Sequence, residues 1–213
     1  MSTTRLELYN EALLICGQRS LSSLTEAVEP RRLLDHVWDN EGVRHCLESG
    51  QWRFAMRTIE LDYTSTVAPT FGLRRAFVKP TDWVVTSALC EDEYFTSPLL
   101  EYVDEAGYWY ADIDVIYVRY VSNNSSYGGD LTKWTAKFAD FVASHFASKI
   151  ILKITSDEEK RESVMKYRKR MLLEAKNVDA MAEPTRFPPS GSWSSSRRGG
   201  SFRDRGNRHR LIG

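Results

Sequence analysis

Helical hydrophobic periodicity occurs at both ends of this chain's apolar body and is interrupted between them by a long stretch of strand-like pattern. That order limits the fold more than any other feature. Residues 4–16 carry Leu6, Tyr9, Leu13 and Cys16 at helical spacing, with Gly17 placed to end the helix. A second helix is expected over 30–49, with Pro30 in its first turn, a buried stripe of Leu33, Leu34, Val37, Trp38 and Cys46, and Gly50 at its end. From Trp52 the period changes. Segments 53–63, 73–79, 83–89, 94–103, 107–111 and 115–120 are rich in aromatic and β-branched residues and are separated by Gly, Pro, Asp and Asn clusters. Residues 123–130 are loop by composition. Helical spacing returns at Leu131 and runs through Trp134, Phe138, Phe141, Val142, His145 and Phe146 to about Ile154. Ser156-Asp157-Glu158-Glu159 then reads as a capping box for a last helix to about Met181, with Val164, Tyr167, Met171 and Val178 on one face.

The expected fold is therefore α+β: a bundle of about four helices, an inserted antiparallel β module and an extended C-terminal arm. The domain reading is a helical body over 1–52 and 131–183, a β module over 53–130 and a basic tail over 184–213. With 213 residues and 42% hydrophobic content, the chain can bury a core without a metal or disulfide. Cys16, Cys46 and Cys90 are odd in number and lack metal-ligand spacing, so they read as reduced thiols, the first two within apolar helical patterns. No apolar run approaches the roughly 20 residues that span a bilayer, and Met1-Ser2-Thr3-Thr4-Arg5 leads straight into a helix without a signal-peptide apolar region. A soluble protein with no membrane partner is expected.

Charge separates along the chain. Residues 186–213 hold seven arginines against Asp204, a net +6, so the rest carries −6 within a total of zero. Residues 91–114 contain eight acids and no Lys or Arg. Such an arrangement points to charge-complementary contacts with partners or between copies. The tail is mainly Ser, Gly and Arg with bulky Trp193, Phe202 and Leu211, a composition that cannot build a core. Its 28 residues would reach about 90 Å when extended, at roughly 3.3 Å each. Three readings of it stay open. It is a nucleic-acid arm with arginines on phosphates and aromatics on bases, a docking arm with aromatic anchors and Arg forks on a protein partner, or a solubilising end.

Sequence signals for catalysis are missing. No phosphate loop, nucleophile elbow or zincin motif occurs, and His36 and His45 stand nine apart, the wrong spacing for a ligand pair. Asp112/Asp114 and Glu91/Glu93 have the residue type of glycosidase carboxylates, but nothing singles out a general acid. Solvated or interface-facing acids on strands and turns account for them. No cofactor and no enzymatic activity are expected.

Three stretches carry a family resemblance. One is Ala12-Leu13-Leu14-Ile15-Cys16-Gly17 followed by Arg31-Arg32-Leu33-Leu34-Asp35 and Ser49-Gly50-Gln51-Trp52-Arg53-Phe54-Ala55, where Trp52 and Phe54 form a tryptophan-x-phenylalanine step. Another is Phe77-Val78-Lys79-Pro80-Thr81-Asp82-Trp83, a Pro80-x-Asp82 step between strands. The third is the closing helix pair with its Ile154-Thr155-Ser156-Asp157 break and Ala175-Lys176-Asn177-Val178-Asp179-Ala180 end, before a Pro/Ser/Arg tail. Together they resemble the bacteriophage head-to-tail adaptor, or tail tubular protein A, family over about residues 4–200. Gln51 and Arg53 are polar around the tryptophan and the tail beyond Arg198 is longer and more basic than the family pattern.

The resemblance implies a structural virion protein: a ring, usually of twelve copies, docked under the portal protein and carrying the distal tail or nozzle protein. Viral DNA would pass through its centre, and assembly would take place in the host bacterial cytoplasm. The expected portal- or neighbour-binding residues are Phe187, Trp193, Arg197, Arg198, Phe202, Arg203, Arg205, Arg208 and Arg210 of the tail. Glu91, Asp92, Glu93, Asp112 and Asp114 are the expected acidic face toward the distal tail or the DNA channel. The alternative is a nucleic-acid-binding module that uses the arginine tail.

Overall fold

Thr4 sets the first helix. In the computed structural model, which describes residues 3–67, 69 and 72–182, its hydroxyl accepts the Glu7 N–H at 3.3 Å while its own N–H donates to the Glu7 carboxylate at 2.7 Å. This reciprocal cap satisfies two donors that a helix start leaves open. Helix α1 (Arg5–Ile15) ends where Gly17 takes φ +69°, so that the N–H groups of Gly17 and Gln18 reach the carbonyls of Leu14 and Leu13, both at 2.9 Å.

The single helix expected over 30–49 is two, α2 (Glu29–Asp39) and α3 (Gly42–Glu48). Asn40 caps α2 through its side-chain amide to the His36 carbonyl at 2.7 Å, and Glu41 turns the chain at φ +59°. Gly42 allows α3 to start close in, since a Cβ there would lie 2.5 Å from the Val37 carbonyl oxygen and 3.0 Å from the Phe146 ring. The apolar stripe skips the corner from Trp38 to Cys46, and both helices pack against the same later helix, so the two segments share one apolar pattern.

Strands β1 (Met56–Asp62), β2 (Arg75–Val78), β3 (Trp83–Cys90), β4 (Val103–Glu105), β5 (Tyr108–Ala111) and β6 (Val115–Ser122) follow. They form two antiparallel three-stranded sheets, ordered β1-β6-β3 and β2-β5-β4. Residues 94–103, expected as a strand, are mostly turn. The Asp92 carboxylate collects the N–H groups of Thr96 and Ser97, Phe95 adopts φ +57°, and the segment meets β3 through the Cys90–Pro98 bridge and the Leu99 N–H on the Leu89 carbonyl at 2.9 Å. Aromatic content suggested a strand; an Asx-type turn and a proline decide otherwise.

Helix α4 (Ala136–Thr155) follows a short 3-10 turn and is capped by the Thr135 hydroxyl, which accepts the Phe138 N–H at 3.2 Å. Ser156 is not the cap of the last helix: at φ +52° it closes α4. The Asp157 carboxylate instead accepts the N–H groups of Glu159 and Lys160, opening α5 (Glu158–Met181). On α5 the buried residues are Val164, Met171 and Ala175, whereas Tyr167 and Val178, expected on that face, are exposed.

Two apolar cores result. One lies between the sheets, with Phe77, Trp109, Ile116, Val118 and Tyr120. The other lies among the helices, with Tyr9, Leu13, Leu34, Trp52, Phe138 and Phe146, and it also takes in Val84 of β3 and Val121 of β6. The sheet β1-β6-β3 thus contributes side chains to both, and Met1–Ala180 is one compact unit. The fold is α+β, with five α-helices among the described residues where about four were expected, because of the corner at Asn40-Glu41.

Candidate assembly surfaces

The Pro80-x-Asp82 step is a structural joint. The Pro80 carbonyl accepts the Trp83 N–H at 3.0 Å, a turn that places Asp82, 9% exposed, against the end of β6. Its carboxylate accepts Arg57 of β1 at 2.9 Å, the Tyr120 hydroxyl at 3.1 Å and the Ser122 hydroxyl. Burial pushes Asp82 up, but the bonds from Ser122, Arg57 and Tyr120 outweigh it and hold the carboxyl below its usual range. Burial, followed by the Asp82 charge, pushes the Tyr120 phenol up. The Asp82 carbonyl accepts the Asn123 N–H at 3.0 Å, and Ser122 in turn accepts the Gly128 N–H at 3.0 Å. Gly128 has no room for a side chain, since a Cβ would sit 2.4 Å from that Ser122 oxygen. The Trp134 indole N–H donates to the Gly128 carbonyl at 2.9 Å, which carries the joint to the start of α4.

The Trp52-x-Phe54 step is core. Trp52, 1% exposed, donates its indole N–H to the Cys46 carbonyl at 3.2 Å and meets Phe138 edge-on at 4.8 Å between centroids. Phe54 meets the same ring at 4.8 Å. Between them, the Arg53 N–H donates to Asp179 of α5 at 3.0 Å. The four motif residues therefore hold the helical body to the β module. Asp82 belongs to a recognisable step in the sequence, whereas its partners Arg57, Tyr120 and Ser122 carry no motif in their spacing.

The expected acidic face divides in two. The Asp112 carboxylate accepts the Arg74 N–H at 2.7 Å, and Asp114 pairs with Arg75 at 2.9 Å beside Tyr63. These turn acids are partnered by the β2 end. Asp92 is engaged by the Thr96 hydroxyl and by two N–H groups, which hold it below the usual carboxylate range. Glu91 and Glu93 are exposed. Around Tyr117, whose hydroxyl is pushed up by burial and then by nearby negative charge, stand Glu60, Glu93, Asp62 and Asp92. Glu60 lies opposite Tyr117 in the β1-β6 register. Glu60 and Asp62 went unnoticed as site residues, yet their two-residue spacing on a strand was the available signal.

Next to these acids the β module exposes apolar side chains: Tyr94 is 79% and Leu100 86% exposed, with Tyr102 and Val103 also open. On the helical body Leu14, Leu152 and Leu173 are exposed. A groove of about 610 Å³ along α1 and the start of α4 has Leu8, Trp134 and Ala139 in its lining and Glu7, Glu11 and Asp140 as its charges. The expected tail contacts, Phe187, Trp193, Arg197, Arg198, Phe202, Arg203, Arg205, Arg208 and Arg210, lie outside the described residues.

Among the described residues no group of three or more His, Cys, Asp or Glu side chains is placed to hold a metal ion. No helix among them is long and apolar enough to cross a membrane. A scan against models of known protein families finds no match to this chain, and a search of curated proteins finds none.

Proposed function

We propose that this protein is a head-to-tail adaptor subunit of a tailed bacteriophage, assembling into a ring that docks on the portal and carries the tail. The observation that supports this reading best is the exposed set Tyr94, Leu100, Tyr102 and Val103 set among carboxylates. Large apolar side chains left in water beside charges mark a surface made for a partner. A closed ring joins one face of a subunit to a different face of the next. The helical body, with its own exposed leucines and acidic groove, offers a face of different composition from the β module. In this reading the arginine tail grips the portal or an adjacent copy, and the acidic side of the β module meets the distal tail protein or repels DNA passing through the channel.

The test is to mix the purified protein with its portal ring and measure the mass of the product, for the full chain and for a chain ending at Glu183. A large defined complex that forms only with the full chain supports a portal-docking adaptor. Absence of any complex, with salt-sensitive DNA binding that needs residues 184–213, would instead support the nucleic-acid-binding module.

A further inference from the structure

A second site lies in the helical body, away from the joint. His145 of α4 is 1% exposed, and its ring stacks on that of His45 of α3 with centroids 4.9 Å apart. Arg168 of α5 approaches His145 Nδ1 at 3.2 Å. A guanidinium can only donate, so Nδ1 is the acceptor and the ring hydrogen sits on Nε2. No hydrogen bond joins that Nε2–H to another described residue, and because it is not among the fully buried unpaired polar atoms it reaches open space at the ring. The His145 ring lines a pocket of about 270 Å³ together with His36, Asn40, Gly42, His45 and Lys149.

The charges around this pocket are one-sided. Among the described residues neither Lys149 nor Arg168 forms an ion pair with a carboxylate, although most other basic side chains of the body do. Glu48 stands 3.9 Å from His45 Nδ1. Burial first, then the positive surroundings of Arg168, His45 and Lys149, push His145 down to about 3, so its ring stays neutral with a fixed N–H donor. His145 offers a neutral N–H donor at the inner end of the pocket, with Lys149 and His45 on its solvent side, so an anion placed there meets a donor and positive charge together.

We propose that the pocket between α2, α3 and α4 binds a single phosphate group, held by Lys149 Nζ, the His45 ring and the His145 Nε2–H. Three donors brought together from α3 and α4 suit a tetrahedral oxyanion better than a planar carboxylate. Phosphate reaches the site either as the free ion or as the terminal phosphate of a nucleic acid strand. The inference does not depend on the adaptor reading.

The test is a titration of the full chain with inorganic phosphate at constant ionic strength, with sodium chloride as control, following the His45 and His145 ring C–H resonances by NMR. Saturable shifts specific to phosphate are expected, with affinity at least tenfold weaker in Lys149→Met and in His45→Gln. Both substituted side chains are largely exposed, so an unchanged Tm checks the fold. Equal responses to phosphate and chloride, or variants that titrate like the parent, would overturn the site. A short 5′-phosphorylated oligonucleotide, compared with its 5′-hydroxyl form, identifies the source. Tighter binding than phosphate that needs the 5′-phosphate assigns a nucleic acid end; no gain assigns the free ion.

Discussion

Arg57 on β1 and Asp82 in the turn before β3 are joined by an ion pair of 2.9 Å, and the same carboxylate carries the hydroxyls of Tyr120 and Ser122. One side chain thus ties β1, β6 and the β2–β3 turn where the sheet meets the helical body. Asp82→Asn keeps the shape and removes the charge. It should destabilise the protein by about 3 kcal/mol at pH 7, the range for a mostly buried pair that loses one partner, measured from urea midpoints. Because the folded carboxyl titrates below its ordinary value of 3.8, its contribution is complete above that value and is lost as pH falls through the depressed one. The gap between variant and parent should therefore narrow only in strong acid. A full gap at pH 2, or none at pH 7, would contradict the assignment.

Trp52→Ala should cost about 3–5 kcal/mol, as expected for a large aromatic removed from a core that cannot collapse around the space. Trp52 touches Phe54, Phe138 and Phe141, so three rings lose a neighbour at once. Trp52→Phe should recover more than half of that loss in thermal unfolding. A cost under about 1 kcal/mol for the alanine variant would mean that the helical core does not rest on this residue.

The double variant Tyr94→Ser, Leu100→Ser should leave folding stability within about 0.5 kcal/mol, since both side chains lie almost wholly in water. Under the proposed adaptor role it should weaken association with the distal tail protein at least tenfold, read by sedimentation or light scattering. Unchanged association would remove this surface from the assembly.

His145 makes the protein acid-sensitive well above the range of its carboxylates. The ring has an ordinary value of 6.5 when unfolded and about 3 when folded, so the unfolded chain binds the extra proton between those limits. Stability from the neutral ring is complete above 6.5 and should fall by about 1.4 kcal/mol for each pH unit below it. His145→Phe, which retains a ring over His45, should flatten the pH dependence of Tm between 6.5 and 4. An equally steep profile in that variant would place the sensitivity elsewhere.

The sequence by itself determined the order of helical and strand segments, because periods of 3.6 and 2 are properties of adjacent residues. It also located the helix end at Gly17, the motif steps at Trp52 and Asp82, and the separation of acidic and basic stretches. Local signals failed where two outcomes share one pattern. The apolar stripe resumes at Cys46 after Trp38, so one helix was expected although the chain turns at Asn40-Glu41, and the aromatic residues after Glu93 suggested a strand although Asp92 captures their backbone in a turn. Only the tertiary structure decided which groups meet. Arg57, Asp82, Tyr120 and Ser122 converge because β1 and β6 pair in antiparallel register beside the β2–β3 turn. His45, His145 and Arg168 come from three helices whose packing sets their contacts. Contacts between residues distant in the chain depend on how the apolar faces close on one another, and no local run of residues encodes that closure.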